Sequence, residues 1–386
     1  MTREITIQGT VAKGYESVRD AFTSVLAGEQ PEYAGQLAAY VRGRQVVDLW
    51  VGPDTDGDTL YGVYSSTKGA AHLVAALLVQ DGTLDLDREV AHYWPEFAAG
   101  GKGGVTVREL LAHRAGVVGV PGGFSPEEIA DDRAIAARLA GQRPYWRPGS
   151  AFGYHALTMG ALVGEVVFRV SGGRTLQEIF EERVRAPHGL DVHLGLPEAE
   201  ERRFHSVLPM APSPEQRALL DSRPEAPHSL LSVAFNGNGA HPTDIESFPN
   251  SRAVRANGPA SAGGVASARG LAGMYAALST GIESGPPLLT ADTLGAFGQI
   301  HSIGHDVVAN THKAFAIGFQ ATSECWYPFL GAGSIGHSGA GGSQAFADPS
   351  TGVAYGYTRR RYAFPGGAAV ENERLALAVH RAALSA

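Results

Sequence analysis

The sequence predicts an α+β fold: an antiparallel β-sheet assembled from both ends of the chain, flanked by helices, with a mostly helical region inserted between. Three observations carry this. Strand-like runs gather at 34–52 and again after about 312; helical stretches broken by Pro- and Gly-bearing loops fill the middle; and the chain closes on a helical pattern at roughly 369–384. The expected division is a discontinuous α/β domain from 1–90 and 265–386, and a mostly helical domain from 91–264. The active site is expected in the cleft between them.

In chain order, 16–27 reads as a helix. AGQLAAYVRG (34–43) and QVVDLWVG (45–52) flank a tight break at Arg42-Gly43-Arg44, the pattern of a β-hairpin. Thr67 to Gln80 is apolar and rich in Ala and Leu, and Asp81-Gly82 stops it as a helix. Thr106 and Glu109 form a capping box, and Gly116 is the expected residue just past that helix. Helical stretches follow at 126–140, 155–171 and 175–186, and Ser267 opens another. The runs AFAIGFQATS, SIGHSG, SQAFADP and GVAYGYTRR then read as strands, and no repeat appears.

Composition removes several functions. No window approaches 18 unbroken apolar residues, so a membrane span is not expected. The opening MTREITIQGTVAKGYE lacks an apolar core after its charges, and Cys325 is the one cysteine, so a cytoplasmic, reducing setting is expected. Net charge is −8, and Arg359-Arg360-Arg361 reads as a strand end, so nucleic acid is not an expected partner. Of the 31 basic residues only Lys13, Lys68, Lys102 and Lys313 are lysines. A lysine kept in such a background can mark a place where arginine, which does not give up its proton, will not serve.

Ser65-Ser66-Thr67-Lys68 stands where an extended segment meets the long helix. A serine there has free backbone N–H groups and the positive helix end beside it, suited to a developing oxyanion. A lysine one turn on shares its face, and burial would make its amine a base. Chance placement of 25 serines and four lysines gives about 0.26 Ser-x-x-Lys, so one occurrence is a moderate signal. A capping serine followed by a surface lysine presents the same pattern. Tyr154 follows the Pro148-Gly149 turn at the mouth of the next helix, where a hydroxyl held between donors becomes phenolate-like. The small residues of Gly336-His337-Ser338-Gly339-Ala340 would let a substrate lie against a strand edge, with His337 orienting its carbonyl or carboxylate.

Together these three elements resemble the serine β-lactamase/penicillin-binding-protein superfamily, and more narrowly its class C-like family VIII carboxylesterases. The likeness extends to the Asp81–Asp87 turn, to Leu110–Gly116 and to the segment ending at Asp348. The resemblance implies a β-lactamase/transpeptidase-like fold and two-step acyl transfer. Ser65 is the nucleophile, Lys68 and Tyr154 move the proton, and the N–H groups of Ser65 and Ala340 form the oxyanion hole. His337, Ser338 and Gly339 then bind substrate, and no cofactor or metal is implied. Relatives carry an asparagine after the tyrosine and a lysine opening the third motif; both are absent, so a neutral small ester is expected rather than an anionic antibiotic.

An α/β-hydrolase elbow, Gly-x-Ser-x-Gly, is missing. The pair His301-x-x-x-His305-Asp306 lies in what reads as a Gly-containing loop, without a metalloprotease pattern. The same residues would serve an acyltransferase, a weak β-lactamase or a D-amino-acid peptidase, and a non-catalytic binding protein would have lost one of them. The region 187–260 is expected to wall the cleft, with Trp146, Phe152, Trp326 and Tyr327 as candidate pocket aromatics.

Overall fold

The computed structural model describes residues 6–26, 33–222 and 225–385. The opening pentapeptide, on which part of the leader reading rests, lies outside them, as does residue 27 of the expected first helix, observed as Glu16–Leu26.

Nine strands form one antiparallel sheet, and both ends of the chain contribute. They are β1 (Gln8–Val11), β2 (Gly35–Val41), β3 (Arg44–Val51), β7 (Ser302–Asp306), β8 (Thr311–Phe315), β9 (Gln320–Ala321), β10 (Ile335–Ser338), β11 (Gln344–Asp348) and β12 (Val353–Arg359). Their order is β1-β3-β2-β12-β11-β10-β9-β8-β7. The β2–β3 hairpin turns on Arg42 and Gly43, both at positive φ as such two-residue turns require. A second, three-stranded sheet joins β4 (Tyr61–Gly62), β5 (Val192–His193) and β6 (Val265–Ala266) in the order β4-β6-β5.

Strand alternation sorts the two faces of the large sheet. Phe346, Tyr355 and Tyr357 pack with Phe22, Leu375 and Val379 of the two terminal helices, Glu16–Leu26 and Glu371–Ser385. On the opposite face stand Ala345, Ala347 and Ala354, against helices Lys68–Gln80 and Ala268–Ser279. Small side chains there let a helix sit close. A Cβ on Gly356 would lie 2.4 Å from the Ala268 carbonyl oxygen, so that contact admits only glycine. Arg359 ends β12 in a buried ion pair with Glu371 at 2.6 Å.

Several boundaries moved. The Thr106 capping box is present, but its helix stops at Leu111, and His113, not Gly116, takes the left-handed backbone just beyond it. Tertiary bonding explains this: the His113 ring is buried and accepts from the His155 N–H at 3.0 Å. Asp131 caps a helix beginning at Asp132, later than the 126 expected, and Tyr154 precedes its helix, Met159–Val170, by a short irregular stretch. Of the His301–Asp306 stretch, Ser302–Asp306 is strand, not loop, and His301 stands just before it. No helix among the described residues is long and apolar enough to cross a membrane.

Candidate active site

Ser65 is set by a strained turn. β4 runs into Tyr64, whose φ of +48° is costly for a bulky residue, by about 1–3 kcal/mol. Tyr64 is pinned by its hydroxyl, which donates to the Glu246 carbonyl at 2.7 Å, and by its edge contact with Tyr362. One 3-10 turn, Tyr64–Thr67, then leads into the helix Lys68–Gln80. Thr67 Oγ1 donates to the Tyr64 carbonyl and accepts from the Gly264 N–H at 2.9 Å. Ser66 Oγ bonds the His337 carbonyl at 3.1 Å, tying the turn to β10.

Lys68 is fully buried. Its Nζ lies 2.6 Å from the Ala156 carbonyl oxygen, 2.8 Å from that of Ser261 and 3.3 Å from Ser65 Oγ. Burial drives its pKa well below the usual lysine range, against a smaller opposing pull from the Asp132 carboxylate. A neutral amine has two N–H bonds and one lone pair. As an ammonium Lys68 donates its third N–H to Ser65 Oγ; as a neutral amine it keeps its N–H bonds on the two carbonyls and turns the lone pair to the Ser65 hydroxyl.

Tyr154 stacks on Phe315, with ring centres 6.1 Å apart and planes 4° from parallel, and it lines the same cavity as Ser65. Burial pushes its pKa up, so at neutral pH it is a phenol. Its backbone N–H donates to Asp306 Oδ1 at 3.1 Å; the same oxygen accepts from Val308 and Ala309 at 2.8 Å each. Asp306 thus fixes the loop that presents the tyrosine.

Ser338, Gly339 and Ala340 line a cavity of about 220 Å³ that Ser65 and Tyr154 also line. Gly339 is glycine for an internal reason: a Cβ there would fall 2.3 Å from the Val63 carbonyl oxygen. His337 lies behind the wall. It is fully buried, its ring centre 5.9 Å from that of Tyr154, and strand alternation turns it away from the face that Ser338 presents. Among the described residues, the N–H groups of Ser65 and Ala340 have no acceptor within the protein.

Four buried histidines, His72, His113, His155 and His337, surround this assembly, all with pKa lowered chiefly by burial; His72 falls to about 3 and His155 to about 4. Hydrogen-bond partners fix the neutral tautomers of His113, His155 and His337, whereas neither ring nitrogen of His72 has a partner. His155 Nε2 accepts from Val117 N–H at 3.2 Å, so its Nδ1 donates to the Gly153 carbonyl at 2.8 Å. Neutral rings add no positive charge that would compete for Lys68's lone pair.

Other cavity residues had no motif to announce them. Gln320 Oε1 accepts from the Ser338 N–H at 3.0 Å, and Leu231 and Phe235 come from the region expected to form a wall. Of the four candidate aromatics only Trp326 lines the cavity. Trp146 packs edge-on against His155, Phe152 against Phe315, and Tyr327 against Phe346 in the core under the terminal helices. Asp306 had appeared only beside a discarded metal pair, and Lys313, which also lines the cavity, only as one of four lysines.

This geometry has close relatives. The structure of EstA from Arthrobacter nitroguajacolicus Rue61a is 43% identical, with a TM-score of 0.90, over 98% of this chain and 99% of that one. A family VIII carboxylesterase is 33% identical, with a TM-score of 0.85, over 98% of this chain and all of that one. The esterase/beta-lactamase LipL of Mycobacterium tuberculosis (strain ATCC 25618 / H37Rv) is 30% identical over 92% of this chain and 83% of its own length. The family described as Beta-lactamase matches residues 22–380, nearly the whole chain, and the chain belongs to that family.

Proposed function

We propose that the protein is a serine carboxylesterase that hydrolyses small esters through an acyl-enzyme on Ser65. The observation that carries this is the Lys68 amine, saturated by two backbone carbonyls and facing Ser65 Oγ at 3.3 Å beside an open cavity. Neutral Lys68 takes the Ser65 proton as Oγ attacks the ester carbonyl. The N–H groups of Ser65 and Ala340 receive the oxyanion; removing one such donor typically raises the barrier by about 3 kcal/mol. Tyr154, held as a phenol, donates to the leaving alcohol and regains its proton from Lys68. Water then enters, gives up a proton by the reverse path, and releases the acid.

In this reading Ser338 and Gly339 bound the substrate, while His337 braces the Tyr154 ring and does not touch the ester. The cleft between 1–90 with 265–386 on one side and 91–264 on the other holds the site; Ser65 and Gln320 come from the first and Tyr154 and Phe235 from the second. The esterase relatives favour hydrolysis over the transferase and peptidase readings. A reducing, cytoplasmic setting suits Cys325, which is free. The test is intact-protein mass spectrometry after brief exposure to a p-nitrophenyl ester. An acyl adduct on the wild type and none on Ser65→Ala is expected. An adduct that survives Ser65→Ala would place the nucleophile elsewhere.

A further inference from the structure

The cavity against Ser65 holds one charged side chain, and the chemistry above makes no use of it. Among the residues lining the cavity only Lys313 carries a charge, and none is a carboxylate. Lys313 stands on β8 two residues before Phe315, so strand alternation turns both toward the cavity. Its Nζ rests 4.3 Å from the centre of the Trp326 ring.

Among the described residues this ammonium has no hydrogen bond or ion pair. Asp306 and Cys325 act on it only through space. Asp306 Oδ1 is committed to three backbone N–H groups, and its Oδ2, buried without a hydrogen-bond partner, makes no ion pair with the lysine. The remaining walls near it are largely apolar: Phe315, Trp326, Phe235, Leu231 and Ala309. A half-buried cation against such walls has lost much of its hydration, and an aromatic face restores only part of it. What the ammonium lacks is a partner in contact, and an anionic group brought in by the ligand fits that place.

We infer that the ester handled at Ser65 carries a carboxylate that pairs with Lys313. This rests on the reading of Ser65 as nucleophile and deepens it. The sequence pointed to a neutral ester because no lysine opens the third motif; the cation arrives instead from β8.

The test compares two acids with their methyl esters: 4-acetoxybenzoate, charged on the alcohol side, and mono-4-nitrophenyl glutarate, charged on the acyl side. In the wild type, kcat/KM for at least one acid exceeds that of its methyl ester. Lys313→Met lowers that charged-to-neutral ratio about tenfold or more, the worth of one charge-assisted contact. A ratio unmoved by Lys313→Met in both pairs overturns the inference. Should that variant fail to fold, Lys313→Gln, which keeps a long side chain with a polar tip and removes only the charge, takes its place, with the same expected fall in the ratio. A ratio unmoved by Lys313→Gln also overturns it. Acylation of Ser65 by the methyl esters, followed by mass, tests the nucleophile separately.

Discussion

Lys68 and Lys102 are both fully buried, and both ammonium positions are built from backbone carbonyls. Lys102 Nζ has three: Ala99 at 2.6 Å, Ala140 at 3.1 Å and Gln142 at 2.5 Å. Lys68 has two, and its third neighbour is the Ser65 hydroxyl. Burial lowers both pKa values, Lys102 to about 8 and Lys68 well below its usual range. Desolvation alone therefore does not make a base. Three acceptors match the three N–H bonds of an ammonium, and such a lysine is a structural staple. Two acceptors and a hydroxyl match a neutral amine with its lone pair pointed at a proton worth taking.

The sharpest way to break this comparison is Lys68→Arg, which puts a permanent cation in that place and removes the lone pair. Ester turnover should fall at least about 10³-fold, because a guanidinium does not act as the base. A variant within tenfold of wild type would mean that Lys68 contributes charge only, and the contrast with Lys102 would dissolve.

Much of this was visible in the sequence. Ser65 and Lys68 share a helix face at a spacing that local geometry alone dictates, and Tyr154 follows a Pro-Gly turn. The scarcity of lysine also carried information: Lys68 and Lys102 are buried and Lys313 lines the cavity, leaving only Lys13 exposed. What could not be read were the carbonyls of Ala156 and Ser261, since every residue has one and only tertiary structure selects which. The same holds for the left-handed turn at His113, where a buried ring bond outweighs the preference for glycine. Asp306 had a legible side chain but a role, holding the Tyr154 N–H, defined wholly by a contact across 152 residues.

Tyr154→Phe sharpens the comparison from the other side of Ser65. The phenol is the proposed donor to the leaving alcohol, so its loss should cost about 10²-fold in kcat, less than Lys68→Arg. Esters with better leaving groups should suffer less, since they need no protonation. Equal losses for p-nitrophenyl and simple alkyl esters would remove Tyr154 from that step.

At Lys102 the expected damage is to stability. Lys102→Met leaves three partly buried carbonyls without their donor, and Tm should fall by roughly 2–5 °C while ester turnover stays within about twofold. Thermal unfolding and kcat on the same preparation check it. A large loss of turnover with no change in Tm would put Lys102, too, in the chemistry.

The smallest expected effect concerns Asp132, the carboxylate that opposes Lys68's lowered pKa. Asp132 Oδ2 accepts from the Ala260 N–H at 2.8 Å, and the next residue, Ser261, supplies one of Lys68's carbonyls. Asn in its place keeps an acceptor for Ala260 and deletes only the charge. Because that charge favours the lysine cation, Asp132→Asn lets Lys68 lose its proton at lower pH. The acid limb of kcat/KM should move to lower pH, where Asp132 is ionised in the wild type, above about 6. Stability gives a second readout. Burial raises the Asp132 pKa from 3.8 to about 6, so its favourable contribution is complete below pH 3.8 and is lost as pH rises through 6. The Asn variant should lack that decline. An acid limb that stays in place while the stability slope vanishes would mean that Asp132 supports the Ser261 carbonyl without tuning Lys68, and the two-carbonyl geometry alone would then separate Lys68 from Lys102.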